Sequence, residues 1–183
     1  MPQPSADAPI LVLAGSNRPG SVTGRIARRL AEHYDEARVP GEVLSLDDLP
    51  ASALDGDAYA EKPAAVAVMT DRVSACSGLH VVVPEYNGSF PGVLKLFIDL
   101  LEFPAAFEDR AVAFVGLAAG TWGGVRPVEH LSQIFAYRHA QQYPRRVFMP
   151  KVGSLVTDAG LEPEIDGRLR EQCAGFVEFV KRH

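Results

Sequence analysis

Cysteine is scarce in this chain, basic excess is missing, and no long apolar run occurs. Two cysteines, Cys76 and Cys173, lie far apart in 183 residues. That spacing excludes a disulfide framework and a cysteine-built metal site, and both are read as buried free thiols on helices. No stretch of about 18 apolar residues is present, which excludes a helical membrane span. No cationic-then-apolar leader opens the sequence, so a reduced, cytoplasmic setting is expected. The formal net charge of −5 argues against a nucleic-acid partner, which would call for a basic face. There is no internal repeat and no low-complexity linker. A chain of 183 residues has room for one domain with a real core and is short for two. Residues 1–8 read as a disordered tail and residues 9–183 as a single domain.

What is present is an alternation of apolar runs with helix-like segments. Strands are expected at Pro9–Ala14, Glu42–Leu46, Leu79–Val83, Arg110–Leu117 and around Arg146–Met149. Helices are expected at Ser21–Tyr34, Pro63–Cys76, Pro91–Glu102, Pro127–Ala140 and Glu164–Lys181. In the first helix Val22, Ile26, Leu30 and Tyr34 recur every fourth residue on one face. Strands one, three and four are nearly unbroken apolar runs, the signature of a parallel sheet covered on both faces. Repeated βα units with right-handed crossovers give an α/β, three-layer, doubly wound domain. Five strands suit the flavodoxin-like order 2-1-3-4-5, whose ligands sit beyond the carboxyl ends of the strands at the switch point.

Three loops should meet there. The first, Gly15-Ser16-Asn17-Arg18-Pro19-Gly20-Ser21-Val22-Thr23, is neither a Walker A loop nor a GxGxxG loop. It offers hydroxyls at Ser16, Ser21 and Thr23, the Arg18 guanidinium, and the free amides of a helix start. That set suits a terminal monophosphate. A serine-capped helix after a tight turn is the alternative, and Arg18 between two serines favours phosphate. The second loop, "PEYNGSFPG", follows the apolar run Leu79–Val83. Pro84 is expected to end the strand ladder, and Gly88 and Gly92 permit unusual backbone angles. A rigid loop of this kind suits a flat heteroaromatic ring with donor and acceptor edges; a plain β-to-α connection is the alternative. The third loop runs from Ala118 to Arg126 with three glycines. Trp122, the only tryptophan, is read as a shield for a ligand face, as interface filling, or as core.

Together "GSNRPGS", "PEYNGSFPGVLK" with Asp99 one turn on, and "GTWGGVR" followed by His130-Leu131 resemble the NADPH-dependent FMN reductase family, which includes quinone, azo and chromate reductases. The resemblance spans nearly the whole chain. It implies a flavodoxin-like fold holding FMN noncovalently. It implies that Ser16, Arg18, Ser21, Val22 and Thr23 take the flavin phosphate, with Asn17 inside the same loop. It implies ring contacts from Pro84, Glu85, Tyr86 and Asn87, and closure over the other ring edge by Gly120, Thr121 and Gly123. The chain departs from the pattern in two places. Ala118 and Ala119 stand where similar proteins often have serine or threonine. Leu96-Phe97-Ile98-Asp99-Leu100 stands where an asparagine and a tryptophan are common.

The implied function is ping-pong hydride transfer from NADPH or NADH to FMN and on to a quinone, free flavin, azo compound or metal oxyanion. The cofactor carries such chemistry, so no residue is assigned as a general acid or base and no metal is expected. His80, in a buried strand, is read as a satisfied core histidine. An electron carrier without a hydride-donor site and a flavin-free binding protein of the same fold are the alternatives. The Pro91–Glu102 helix is apolar nearly all round apart from Lys95, Asp99 and Glu102, so a second subunit is expected against it, in a homodimer or homotetramer.

Overall fold

The computed structural model describes residues 8–158 and 160–183; the expected tail lies, up to residue 7, outside the described residues. The elements run β1 (Ile10–Ala14), α1 (Val22–Glu36), β2 (Gly41–Ser45), three short 3₁₀ turns between Leu46 and Tyr59, α2 (Ala64–Ala75), β3 (Gly78–Pro84), α3 (Gly92–Leu100), β4 (Ala111–Leu117), α4 (Val125–Tyr137), β5 (Gln141–Gln142) and β6 (Val147–Met149). A short α5 (Val152–Leu155), a small hairpin of β7 (Val156–Thr157) and β8 (Gly160–Leu161), and α6 (Pro163–Val180) complete the chain. The main sheet is parallel throughout, in the order β2-β1-β3-β4-β5, with β6 also on β4.

Strand alternation builds two cores. Ile10, Val12 and Ala14 face α1 and α6, while Leu11 and Leu13 face α2, α3 and α4. Every residue of β1, β3 and β4 is buried, which is why these strands read as unbroken apolar runs.

One expectation needs correction. The fifth strand is split: β5 and β6 both lie along β4, with Tyr143–Arg146 between them. Pro144 sits in that gap and has no N–H for a ladder. The Gln172 side chain fills the break, donating from Nε2 to the Phe114 and Arg145 carbonyls, each at 2.9 Å. As expected, β3 ends at Pro84, which forms the last pair with Leu117 on β4. The next residue, Glu85, donates its N–H to Leu117, so the nitrogen of Pro84 faces the other edge, where β1 has already stopped at Ala14. The missing N–H costs no ladder bond there. Much of the apolar perimeter of α3 is covered within the chain, with Val93 and Leu96 left half-buried. Leu94, Phe97 and Ile98 join the sheet core, while Leu100 and Leu96 pack with Ala53, Ala58, Val66 and Leu49 from the 3₁₀ segment and α2. Buried Arg138 of α4's end caps the same helix, donating to the carbonyls of Ile98 at 3.0 Å and Glu102 at 2.7 Å.

A polar spine crosses the α1–α6 side of the sheet. His80 Nδ1 lies 2.7 Å from Tyr34 Oη, and the ring packs against Phe176. His80 is fully buried, and burial pushes its pKa from the usual 6.5 down to about 3, offset only slightly by the Gln172 side chain. Further out, Arg29 grips Asp166 through Nε at 2.7 Å and Nη2 at 2.8 Å, and His33 Nε2 meets the same carboxylate at 3.0 Å. The Arg29 contact holds the Asp166 carboxyl down at about 2.

His80 stays neutral when folded but protonates when unfolded, so the unfolded state binds more protons between pH 6.5 and about 3. Stability therefore rises with pH across that window and is lost on acidification. Denaturant titration should show a loss of about 2 kcal/mol between pH 7 and pH 5. His80→Gln, which does not titrate, should flatten that slope; an unchanged slope would assign it to other groups.

Candidate functional site

The sheet order reverses between β1 and β3, and the loops leaving these strands define a crevice at their carboxyl ends. The first loop leaves β1 at Gly15. A Cβ there would stand 2.9 Å from the Val82 carbonyl and 3.0 Å from Leu94, so only glycine lets the chain hug β3 and α3. Ser16 is buried; its Oγ accepts the Arg18 N–H at 3.2 Å. Residues Asn17, Arg18, Pro19 and Gly20 are exposed. Ser21 caps α1, its Oγ accepting from the Gly24 N–H at 3.1 Å. Thr23 is buried and Val22 half-buried. The amides of Val22 and Thr23 belong to the helix's open first turn, and α1 has no acidic residue there. Arg18 forms no ion pair among the described residues. The positive helix end and the guanidinium are both available to an outside anion.

The second loop is a two-residue hairpin. Asn87 and Gly88 both take positive φ, 52° and 79°, and Tyr86 and Ser89 exchange backbone hydrogen bonds at 2.7 and 3.0 Å. Asn-Gly at two left-handed positions is the preferred chemistry of a type I′ turn. Its flanks are tied to the neighbouring elements. Tyr86 Oη lies 3.2 Å from Ser16 Oγ in the first loop. Ser89 Oγ lies 3.0 Å from His130 Nδ1 on α4. The turn is thus a cross-brace between the first loop and the helix that follows the third. Glu85, directly before it, has its Oε2 buried with no hydrogen-bond partner. A buried, unpaired carboxylate oxygen suits a ligand that brings an N–H donor, and a flavin ring system carries one at N3.

The third loop packs hard on its own strand. Gly124, with φ 83°, has no room for a Cβ, which would fall 2.4 Å from the Leu117 nitrogen. Gly123 is likewise turned inward, against Pro150, and its carbonyl accepts the Met149 N–H. Its requirement for glycine comes from the chain's own folding. Gly120 and Thr121 are exposed, and nothing crowds Gly120. Trp122 is 64% exposed, which removes the core reading, and the Arg126 guanidinium sits 5.9 Å from its ring centre.

Two parts of the surroundings escape sequence reasoning. Residues 149–152, after β6, stitch the third loop in place: Ala118 N–H to the Met149 carbonyl, Lys151 N–H to Gly120 and Val152 N–H to Ala118. A proline-lysine pair after an expected strand is a faint signal of this. On the far side of the first loop lies an open groove of about 310 Å³, lined by Gly20, Ser21, Gly24, Arg28, Ser45, Asp47 and Asp48. It contains no residue of the second or third loop. Among the described residues no cluster of metal-ligating side chains occurs and no helix is long and apolar enough to cross a membrane.

Comparisons with known proteins agree with this geometry. The family model described as NADPH-dependent FMN reductase matches residues 8–153. The quinone reductase of Escherichia coli (strain K12) is 30% identical over 188 residues, covering 94% of this chain and 95% of that protein. The probable NADPH:quinone oxidoreductase 2 of Oryza sativa subsp. japonica is 34% identical over 190 residues, covering 94% and 89%. Among solved structures, the flavoenzyme NAD(P)H:(acceptor) oxidoreductase of Paracoccus denitrificans superposes with a TM-score of 0.79 over 96% of this chain and 98% of that one. At 21% identity it speaks for the fold alone.

The contrast between two glycines of the third loop is testable. Gly124→Ala should lower stability by about 3 kcal/mol or more, because both its φ and its backbone neighbours exclude a Cβ. Gly120→Ala, in open space, should stay within about 0.5 kcal/mol of wild type. Urea unfolding of both variants checks the pair.

Proposed function

The chain belongs to the NADPH-dependent FMN reductase family, and from that premise we propose how its own residues hold the flavin. The protein is an NAD(P)H-dependent FMN oxidoreductase of flavodoxin-like fold. Residues 9–183 are read as one FMN-binding domain. Arg18, Ser16, Ser21, Thr23 and the first amides of α1, including that of Val22, hold the phosphate. Pro84, Glu85, Tyr86 and Asn87 line the ring, with Gly120, Thr121 and Gly123 on its other edge. The observation that carries this reading is the buried, unpaired Glu85 Oε2 beside the braced Asn87-Gly88 turn. It is an acceptor in search of a donor, set at the switch point where the phosphate loop also ends.

Bound FMN supplies reversible two-electron transfer, a hydride in from NAD(P)H and electrons out to an acceptor, in a ping-pong sequence. The protein positions and excludes; it contributes no acid–base pair. A quinone is the proposed acceptor, since the similar proteins from Escherichia coli and Oryza sativa are quinone reductases. With reductases as its relatives, the electron-carrier reading loses its ground. Two buried free thiols suit the cytoplasm. A second copy would cover the half-buried Val93 and Leu96 on α3 and the stacked, exposed pair Phe103 and Tyr137 beside it; sedimentation decides that point.

The purified protein should show a flavin absorbance spectrum that bleaches on anaerobic addition of NADPH or NADH. A colourless protein that gains no thermal stability from FMN would overturn the reading. Arg18→Ala removes one charge-assisted contact and should weaken FMN binding by about 10- to 100-fold, measured by titrating apoprotein.

A further inference from the structure

A hydride donor brings two or three phosphates to a protein of net charge −5, so it needs a cationic landing place. We propose that Arg126 and Lys151, with Trp122 beside Arg126, bind the phosphate-bearing part of the dinucleotide donor at the mouth of the flavin crevice. This rests on the functional reading above and assigns its donor site.

Three observations carry it. First, the orientation of α4 is fixed. His130 Nδ1 meets Ser89 of the second loop, so the helix face bearing His130 fronts the crevice. Arg126 lies one turn earlier, at i and i+4, on that same face and is exposed. Second, Lys151 reaches the same rim from another element. Its N–H donates to the Gly120 carbonyl at 2.9 Å, which puts its exposed side chain beside the third loop. Third, these cations are free. Neither forms an ion pair among the described residues, and the nearby acid on α4, Glu129, is engaged by Arg146. Trp122 stands exposed beside Arg126, whose guanidinium carbon lies 5.9 Å from its ring centre. An exposed indole offers a stacking surface for a base, and the guanidinium a planar, two-pronged donor for phosphate. On the other side of the first loop Asp47 and Asp48 outnumber the one cation of the groove, Arg28, which makes it less favourable to phosphate.

The test uses FMN-loaded protein and two readouts. Trp122 is the only tryptophan, so its emission reports the rim directly. ADP-ribose, which carries phosphates but no hydride, should quench it saturably. Arg126→Gln with Lys151→Gln should raise the ADP-ribose dissociation constant by about tenfold or more. In anaerobic stopped flow the double variant should need about tenfold more NADPH or NADH for half-maximal flavin reduction, at nearly the wild-type limiting rate. Reduction by 1-benzyl-1,4-dihydronicotinamide, a phosphate-free donor, should not change. Both side chains are exposed, so melting temperatures should match wild type. No saturable quenching in wild type, or equal weakening of the phosphate-free donor, would overturn the assignment. Failure of every donor to bleach the flavin would instead overturn the functional reading, while the ADP-ribose titration would still judge the rim.

Discussion

A parallel sheet covered by helices on both faces has one place left for chemistry: the ends of its strands. Every residue of β1, β3 and β4 is buried, so no side chain along them can meet a ligand. The loops at the carboxyl ends must do so, and they must be rigid although no sheet supports them. Rigidity comes from close backbone approach. Gly15 presses on Val82, and Gly124 presses on Leu117, at distances that exclude any Cβ. The type I′ turn at Asn87-Gly88 then ties the first loop to α4 through Tyr86 and Ser89.

Much of this was legible in the residues themselves. Long apolar runs gave the buried strands, because a strand sealed on both faces cannot alternate. Gly88 was read as a position of unusual backbone angle, and it takes a φ of 79°; the matching left-handed Asn87 was not read. His80 read correctly as core, because it sits among apolar neighbours in such a run, but not as fully satisfied: Nδ1 meets Tyr34, while Nε2 is buried without a hydrogen-bond partner. What was not legible depends on partners distant in sequence. The split of the fifth strand turns on Gln172, thirty residues downstream in sequence terms of that edge, filling a gap beside Pro144. The cover over α3 comes from 3₁₀ turns that carry no periodic signal. The brace between Ser89 and His130 joins two residues whose neighbours say nothing about each other.

The candidate site divides the same way. Arg18 and the helix start could be named from one loop, because a phosphate site there is local chemistry. The meaning of Glu85 could not. An acid before a turn is commonly a cap or a dipole partner, and only its buried, unpaired oxygen makes it an acceptor for a ligand. Gly123 shows a different limit: the packing against Pro150 that demands glycine there could not be read from its own loop.

Electrostatics gives the crevice a direction. The first loop separates two unlike surroundings, with Asp47 and Asp48 on the β2 side and Arg126 and Lys151 on the β4 side. An anionic ligand at the helix start is repelled from the first and drawn toward the second, across the braced turn. In the proposed arrangement a ring attached to that anion would lie over the Glu85–Asn87 segment, where a donor edge would find the unpaired carboxylate oxygen. In an acidic protein, local cations of this kind matter more than the net charge, because screening limits the reach of distant charges to about 10 Å. The proposed placement of the ligand rests on fixed charges and stiff backbone alone, and it calls on no side chain to gain or lose a proton.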